Sequence, residues 1–167
     1  MSQDLNVLVN LNTNVFEDWT AAYFPGVTNT SVVGFAADPD VDRAQNLLEF
    51  ALGMNPTNAD AQPFAPHQGG LPIGSIQTIG GTNYLVLTVQ RPIGRIGITR
   101  IAEASSNLVT WAPGMTASGP MNNGDGTETI VFRDVVPHQR CSREIYPAQS
   151  ASVLTLERRS RQDRLCS

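Results

Sequence analysis

The chain has 167 residues and a net charge of −4 from 11 basic and 15 acidic side chains, with charged residues making up only 16% of it. That length suits one ordinary domain or two small ones, and no apolar run is long enough to span a membrane as a helix. Every basic residue is Arg and the acids outnumber them, which argues against nucleic acid as the main partner; Leu, Ile, Val and Phe recur in short runs, which argues against a disordered chain.

At the amino terminus, MSQDLNVLVNLNTNV has neither a basic start nor a long apolar stretch, so no secretory signal is visible. The expectation is either an intracellular protein or a piece of a longer exported chain. Leu5 to Val9 alternate loosely and read as a strand. Asn14 is placed to cap a short helix whose Phe16, Trp19, Ala22 and Tyr23 recur at helical spacing, and Pro25-Gly26 stops it. A polar stretch at 28–31 then leads into an acidic segment. Residues 44–52, AQNLLEFAL, read as a helix with an apolar stripe of Leu47, Leu48, Ala51 and Leu52, ended by Gly53 and Asn55-Pro56.

Residues 57–71 are rich in Pro, Gly and small polar side chains and read as a linker or long turn. Beyond them the hydrophobic period changes from helical to alternating. Strands are expected at Ile73–Ile79, Asn83–Arg91, Ile96–Ser105 and Glu128–Arg133, with a weaker one at Val153–Glu157. Asn122-Asn123-Gly124-Asp125-Gly126 is a hairpin signal. The fold class expected is mainly β: a small antiparallel β-sandwich, immunoglobulin- or fibronectin III-like, preceded by a short α-helical calcium-loop segment. Its divisions are a lead-in with loop and helix at 1–60, a linker at 61–71, the β-rich domain at 72–137 and a tail at 138–167. That tail holds six Arg against three acids, whereas the preceding residues hold five against twelve. It reads as divergent, solvated and partly disordered. Both cysteines, Cys141 and Cys166, lie in it, so a disulfide between them would close only a terminal loop.

One segment carries chemistry. Residues 38–49 read DPDVDRAQNLLE. A twelve-residue EF-hand-type loop needs oxygens at positions one, three, five, nine and twelve and a backbone carbonyl at seven, because Ca²⁺ takes six to eight hard oxygen ligands on a curved backbone. Those positions hold Asp38, Asp40, Asp42, Asn46 and Glu49, with the carbonyl of Ala44 at seven. A plain acidic loop whose Asp42 caps the helix is the simpler account, but it leaves three aspartates within five residues repelling one another without a counter-ion. At position six, where a turn with positive φ favours Gly, stands Arg43, which also removes one unit of negative charge. A weak site is therefore expected, with a dissociation constant of about 10⁻⁴ to 10⁻³ M, as in extracellular modules. Such a site is filled only where calcium is millimolar, and it is structural rather than a sensor.

Phe16-x-x-Trp19 and Phe24, followed by DPDVDRAQNLLEFALGMNPTNAD at 38–60, resemble the pattern DPDGDGLSNLLEYALGTDP with its aromatic lead-in, found near the carboxyl end of large secreted bacterial proteins and similar to dockerin and thrombospondin type 3 calcium loops. The strand around 83–90, EASSNLVTWAP at 103–113 and NNGDGTETIVFRD at 122–134 continue the likeness, which spans about residues 16–137. Val41 and Arg43 replace the two glycines of that pattern. The resemblance implies an exported, non-catalytic accessory module, secreted or on a bacterial cell surface, whose partners are other domains of a larger protein. It also implies calcium ligand roles for Asp38, Asp40, Asp42, Asn46 and Glu49.

Other candidates have plainer explanations. His67 and His138 lack a second ligand at metal spacing. No nucleophile elbow, P-loop, dinucleotide fingerprint or HExxH motif occurs, so an enzyme is not expected. Glu103, Glu128 and Asp134 read as surface carboxylates rather than an acid–base pair. Trp19 and Tyr84 belong to apolar faces, which leaves Trp111, beside a turn, as the candidate platform for a glycan. Unprotected β edges in a chain without Lys give a further alternative, self-association into a surface or filament assembly.

Overall fold

A computed structural model describes residues 15–66, 68–105, 109–138 and 150–158, the last segment as backbone. The expected strand at Leu5–Val9, the Asn14 cap, His67, Cys141 and Cys166 lie outside the described residues. What is described is mainly β, with antiparallel sheets.

Three short helices come first. Helix α1, Phe16–Tyr23, starts at Val15 without a side-chain cap, and Phe16, Trp19 and Thr20 form its buried face. Ala22, expected on that face, is exposed, because the helix is covered on one narrow side only. Helix α2, Thr30–Val33, occupies part of the stretch read as merely polar; the Asn29 side chain accepts a hydrogen bond from the Ser31 amide and starts the turn. Helix α3, Asn46–Leu52, matches the expected helix and ends on Gly53 at φ +77°, a left-handed position suited to Gly. Amides of Gly53 and Met54 both return to the carbonyl of Glu49.

Helix α3 is short but enclosed on nearly every side. Phe50 joins Phe16 and Trp19 in an aromatic cluster with ring centroids 5.5–5.7 Å apart, and Phe35 stacks on Phe16 at 4.3 Å. Phe50, absent from the expected stripe, is fully buried, while Leu47 and Leu48 are half-buried. The difference arises because α1 covers a second side of α3, which heptad spacing within α3 does not reveal. Ala51, Leu52 and Met54 pack with Ala44 and with Leu87, Val89 and Ala102 from the strands, so a single core joins the helix to the β-rich part.

The strands form two groups. Strands β1 (Ile73–Ile79), β2 (Thr82–Pro92), β5 (Thr116–Asn122) and β6 (Thr127–His138) make a four-stranded sheet in the order β1-β2-β6-β5. Strands β3 (Ile98–Ser105), β4 (Ala112–Pro113) and β7 (Ser150–Arg158) make a three-stranded sheet in the order β4-β3-β7. Every pairing is antiparallel. Strand β1 has the expected limits, and the 122–126 turn joins β5 to β6, with Asp125 Oδ1 accepting from the amide and the hydroxyl of Thr127. Strand β5 was not expected; it carries Gly119-Pro120 in its interior, and its pairing with β6 skips register between Ser118 and Met121, around that dipeptide. Strand β7 extends the weak strand read at 153–157 and pairs with β3, so regular structure continues into the segment assigned to the tail.

Residues 57–71 do not act as a free spacer. The Leu71 amide bonds the carbonyl of Gln62 and the Phe64 amide that of Leu71, which ties the two ends of the 62–71 segment together. Gly69 lies so close to the end of α3 that a Cβ there would stand 2.0 Å from the Gly53 carbonyl oxygen. Any side chain at 69 would push the turn off the helix.

Candidate metal centre

The acidic loop is wound by its own carboxylates. Asp38 accepts from the amides of Asp42 (3.2 Å) and Arg43 (3.0 Å), and Asp42 Oδ1 accepts from the Ala44 amide (2.8 Å). Short acidic side chains favour such local bonds over regular structure. Val41 and Arg43 both take positive φ, +62° and +79°, at the two positions where the calcium-loop pattern has Gly. A β-branched or long side chain pays conformational energy there, about 1 kcal/mol or more each. The loop is closed at its base by the Asn46 amide bonding to the Ala37 carbonyl (2.8 Å). Asp42 thus sits ahead of α3 rather than capping it, the N-cap being Gln45 without a side-chain bond.

Carboxylates converge inside this loop. Oxygens of Asp38, Asp40 and Asp42 lie within 4.8 Å of one another, as do those of Asp42, Glu49 and Asp60. Glu49 is wholly buried, at 0% exposure. Neither of its oxygens has a hydrogen-bond partner, and the same holds for Asp40 Oδ2 and Asp60 Oδ1. Burial, then the charges of Asp40, Asp42, Asp60 and Asp38, push the Glu49 carboxyl up to about 8. Asp40 is raised by burial and by Asp42, and Asp60 chiefly by burial. A buried carboxylate without donors is costly unless protonated or bound to a cation. This all-oxygen donor set suits a hard ion such as Ca²⁺ and lacks the sulfur and imidazole ligands that favour zinc or copper.

Of the expected ligand residues, Asp38, Asp40 and Asp42 form one group of converging oxygens, and Asp42 and Glu49 meet in a second, with Asp60. Ala44 is buried and its amide is held by Asp42. Asn46 is also wholly buried, but its amide nitrogen donates to the carbonyls of Val32 (2.8 Å) and Gly34 (3.0 Å), tying α3 to α2, and its Oδ1 is left unpartnered. Asp60 received no role from the sequence because it lies outside the twelve-residue window. The aspartate in the NPTNAD segment was its only trace. Asp42 Oδ2 accepts from the amides of Asp60 (2.9 Å) and Ala61 (2.7 Å), which brings this later segment to the loop.

Elsewhere the plainer readings account for the residues. Glu128 is ion-paired with Arg91 at 2.6 Å across the β2–β6 register, and Asp134 accepts from the Val136 amide. The Arg133 guanidinium lies 5.0 Å from the Tyr84 ring centre, covering a face that a sugar would need. Trp19 is buried. Trp111 is half-buried just before β4. No helix among the described residues is long and apolar enough to cross a membrane. No family model, curated protein or solved structure matches the chain.

Proposed function

We propose that the protein is a non-catalytic, calcium-stabilised structural module of an exported protein, with its two sheets packed as a small immunoglobulin-like sandwich against the loop-and-helix segment. The observation that carries this reading is Glu49: fully buried, unpartnered at both oxygens, and surrounded by Asp38, Asp40, Asp42 and Asp60. Calcium neutralises these groups and fixes the loop. Through Glu49 it holds α3, whose Phe50, Ala51 and Leu52 tie the aromatic cluster to the strands. Arg100 of β3 strengthens the join by donating to the Ala51 carbonyl (3.0 Å) at the carboxyl end of α3.

Thermal unfolding of the full chain in chelator and in millimolar calcium tests this reading. The midpoint rises with calcium, by an amount that grows with its concentration; an unchanged midpoint removes the metal from the account. A second reading, self-association by strand addition, is favoured by β1, an edge strand exposed along its whole length with Ile73, Ile76 and Ile79 in solvent. A monomeric mass by light scattering at high concentration removes it.

A further inference from the structure

Taking the calcium site as its premise, we propose that Asp60 is a direct ligand of the bound cation, so that the ion joins the acidic loop to the chain leaving the far end of α3. The EF-hand scheme closes its ligand set with the residue at position twelve, here Glu49. In this molecule a further carboxylate enters from eleven residues later.

Three observations place it there. Calcium–oxygen distances of about 2.3–2.6 Å mean that two oxygens on one ion stand no more than about 5 Å apart. The oxygens of Asp42, Glu49 and Asp60 meet that limit, lying within 4.8 Å of one another. Glu49 is the buried, unpartnered group facing this cluster, so the cluster points to a ligand and is more than a patch of surface acids. The hydrogen bonds of Asp60 are also divided in a telling way: Oδ2 accepts from the Asn55 amide (3.2 Å), whereas Oδ1 is buried with no partner. One oxygen orients the carboxylate and the other is left for the ion.

The chain's own hydrogen bonds hold this position. Asn55 Oδ1 accepts from the amide and hydroxyl of Thr57, forming a turn after α3, and Asp42 Oδ2 holds the amides of Asp60 and Ala61. Asp42 thereby acts twice, as a member of the carboxylate cluster and as the acceptor that draws Asp60 in. The consequence is mechanical: the ion clamps both ends of α3 and, through Ala61 and Gln62, the turn that leads into β1.

The full chain, wild type and Asp60→Asn, is titrated with calcium by calorimetry and then loaded with Tb³⁺, whose luminescence lifetimes in H₂O and D₂O count the waters on the ion. Asn retains an oxygen for the Asn55 amide but loses the charge. The expected result is calcium binding weakened at least about tenfold and a gain of about one water on Tb³⁺. Equal affinity and an equal water count overturn the role of Asp60; because an Asn oxygen can itself ligate calcium, weaker binding with an unchanged count overturns it when Asp60→Ser gives the same result. Asp60→Ser, read by the same two measurements, decides the matter should Asn be poorly tolerated. A wild-type protein that binds neither ion overturns the underlying calcium reading instead.

Discussion

Replacing Glu49 with Gln isolates the electrostatic cost of the centre from its shape. In the folded, metal-free chain this carboxyl titrates at about 8, against an ordinary 4.5. The folded value is the higher one, so folding takes up a proton. The group costs no stability below about pH 4.5, costs progressively more as pH rises to about 8, and costs a constant amount above that. At pH 7 the unfolded carboxyl is ionised by about 2.5 decades while the folded one stays largely protonated, which at about 1.4 kcal/mol per decade amounts to roughly 3 kcal/mol. A neutral Gln of the same length avoids this. In chelator at pH 7, Glu49→Gln therefore melts about 6–12 °C above the wild type, at about 2–4 °C per kcal/mol, and the advantage vanishes near pH 4. In calcium the gap closes: at one hundred times the dissociation constant the wild type gains about 2.7 kcal/mol, nearly cancelling the cost of its buried acid, and the variant, lacking the buried ligand, gains little. Differential scanning calorimetry across pH 4–9, with chelator and with calcium, measures both arms. A variant that melts no higher than the wild type in chelator, at any pH, refutes the claim that Glu49 is held there as a costly, unpartnered acid.

The strained loop gives a second prediction. Val41→Gly and Arg43→Gly each stabilise the module by about 1 kcal/mol by relieving positive φ, and Arg43→Gly also tightens calcium binding by removing a nearby positive charge; melting and calorimetric titration report the two effects separately. Asn46→Ala strips the carbonyls of Val32 and Gly34 of their donor and costs about 2–4 kcal/mol, equally with and without calcium; a loss confined to the calcium-loaded protein would instead make Asn46 a ligand. Phe50→Ala, which empties the centre of the aromatic cluster, costs about 3–5 kcal/mol in denaturant unfolding and separates α1 from α3, seen as increased solvent exposure of Trp19 fluorescence.

Local spacing carried the acidic loop. Aspartates at alternate positions followed by a helix marked the loop, and the pattern's demand for Gly at 41 and 43 is met by positive φ at those residues even though neither is Gly. Helix α3, strand β1 and the 122–126 turn were legible for the same reason, since their periodicity, Gly stops and Asn/Asp bonds act within a few residues. Features that depend on a distant partner were not. Asp60 reaches the carboxylate cluster only because Asp42 captures its backbone, Phe50 is buried only because α1 covers it, and Asn46 Nδ2 finds its acceptors in the carbonyls of Val32 and Gly34, well before the loop. The division of the seven described strands into two sheets was equally out of reach, because alternation records which strands are half-buried but not which neighbour completes each ladder. The composition and short-range order of the chain thus determined an acidic turn and a run of strands, whereas burial, the property on which the proposed cation site depends, was decided only when segments far apart in the chain closed over Glu49 and shut out water.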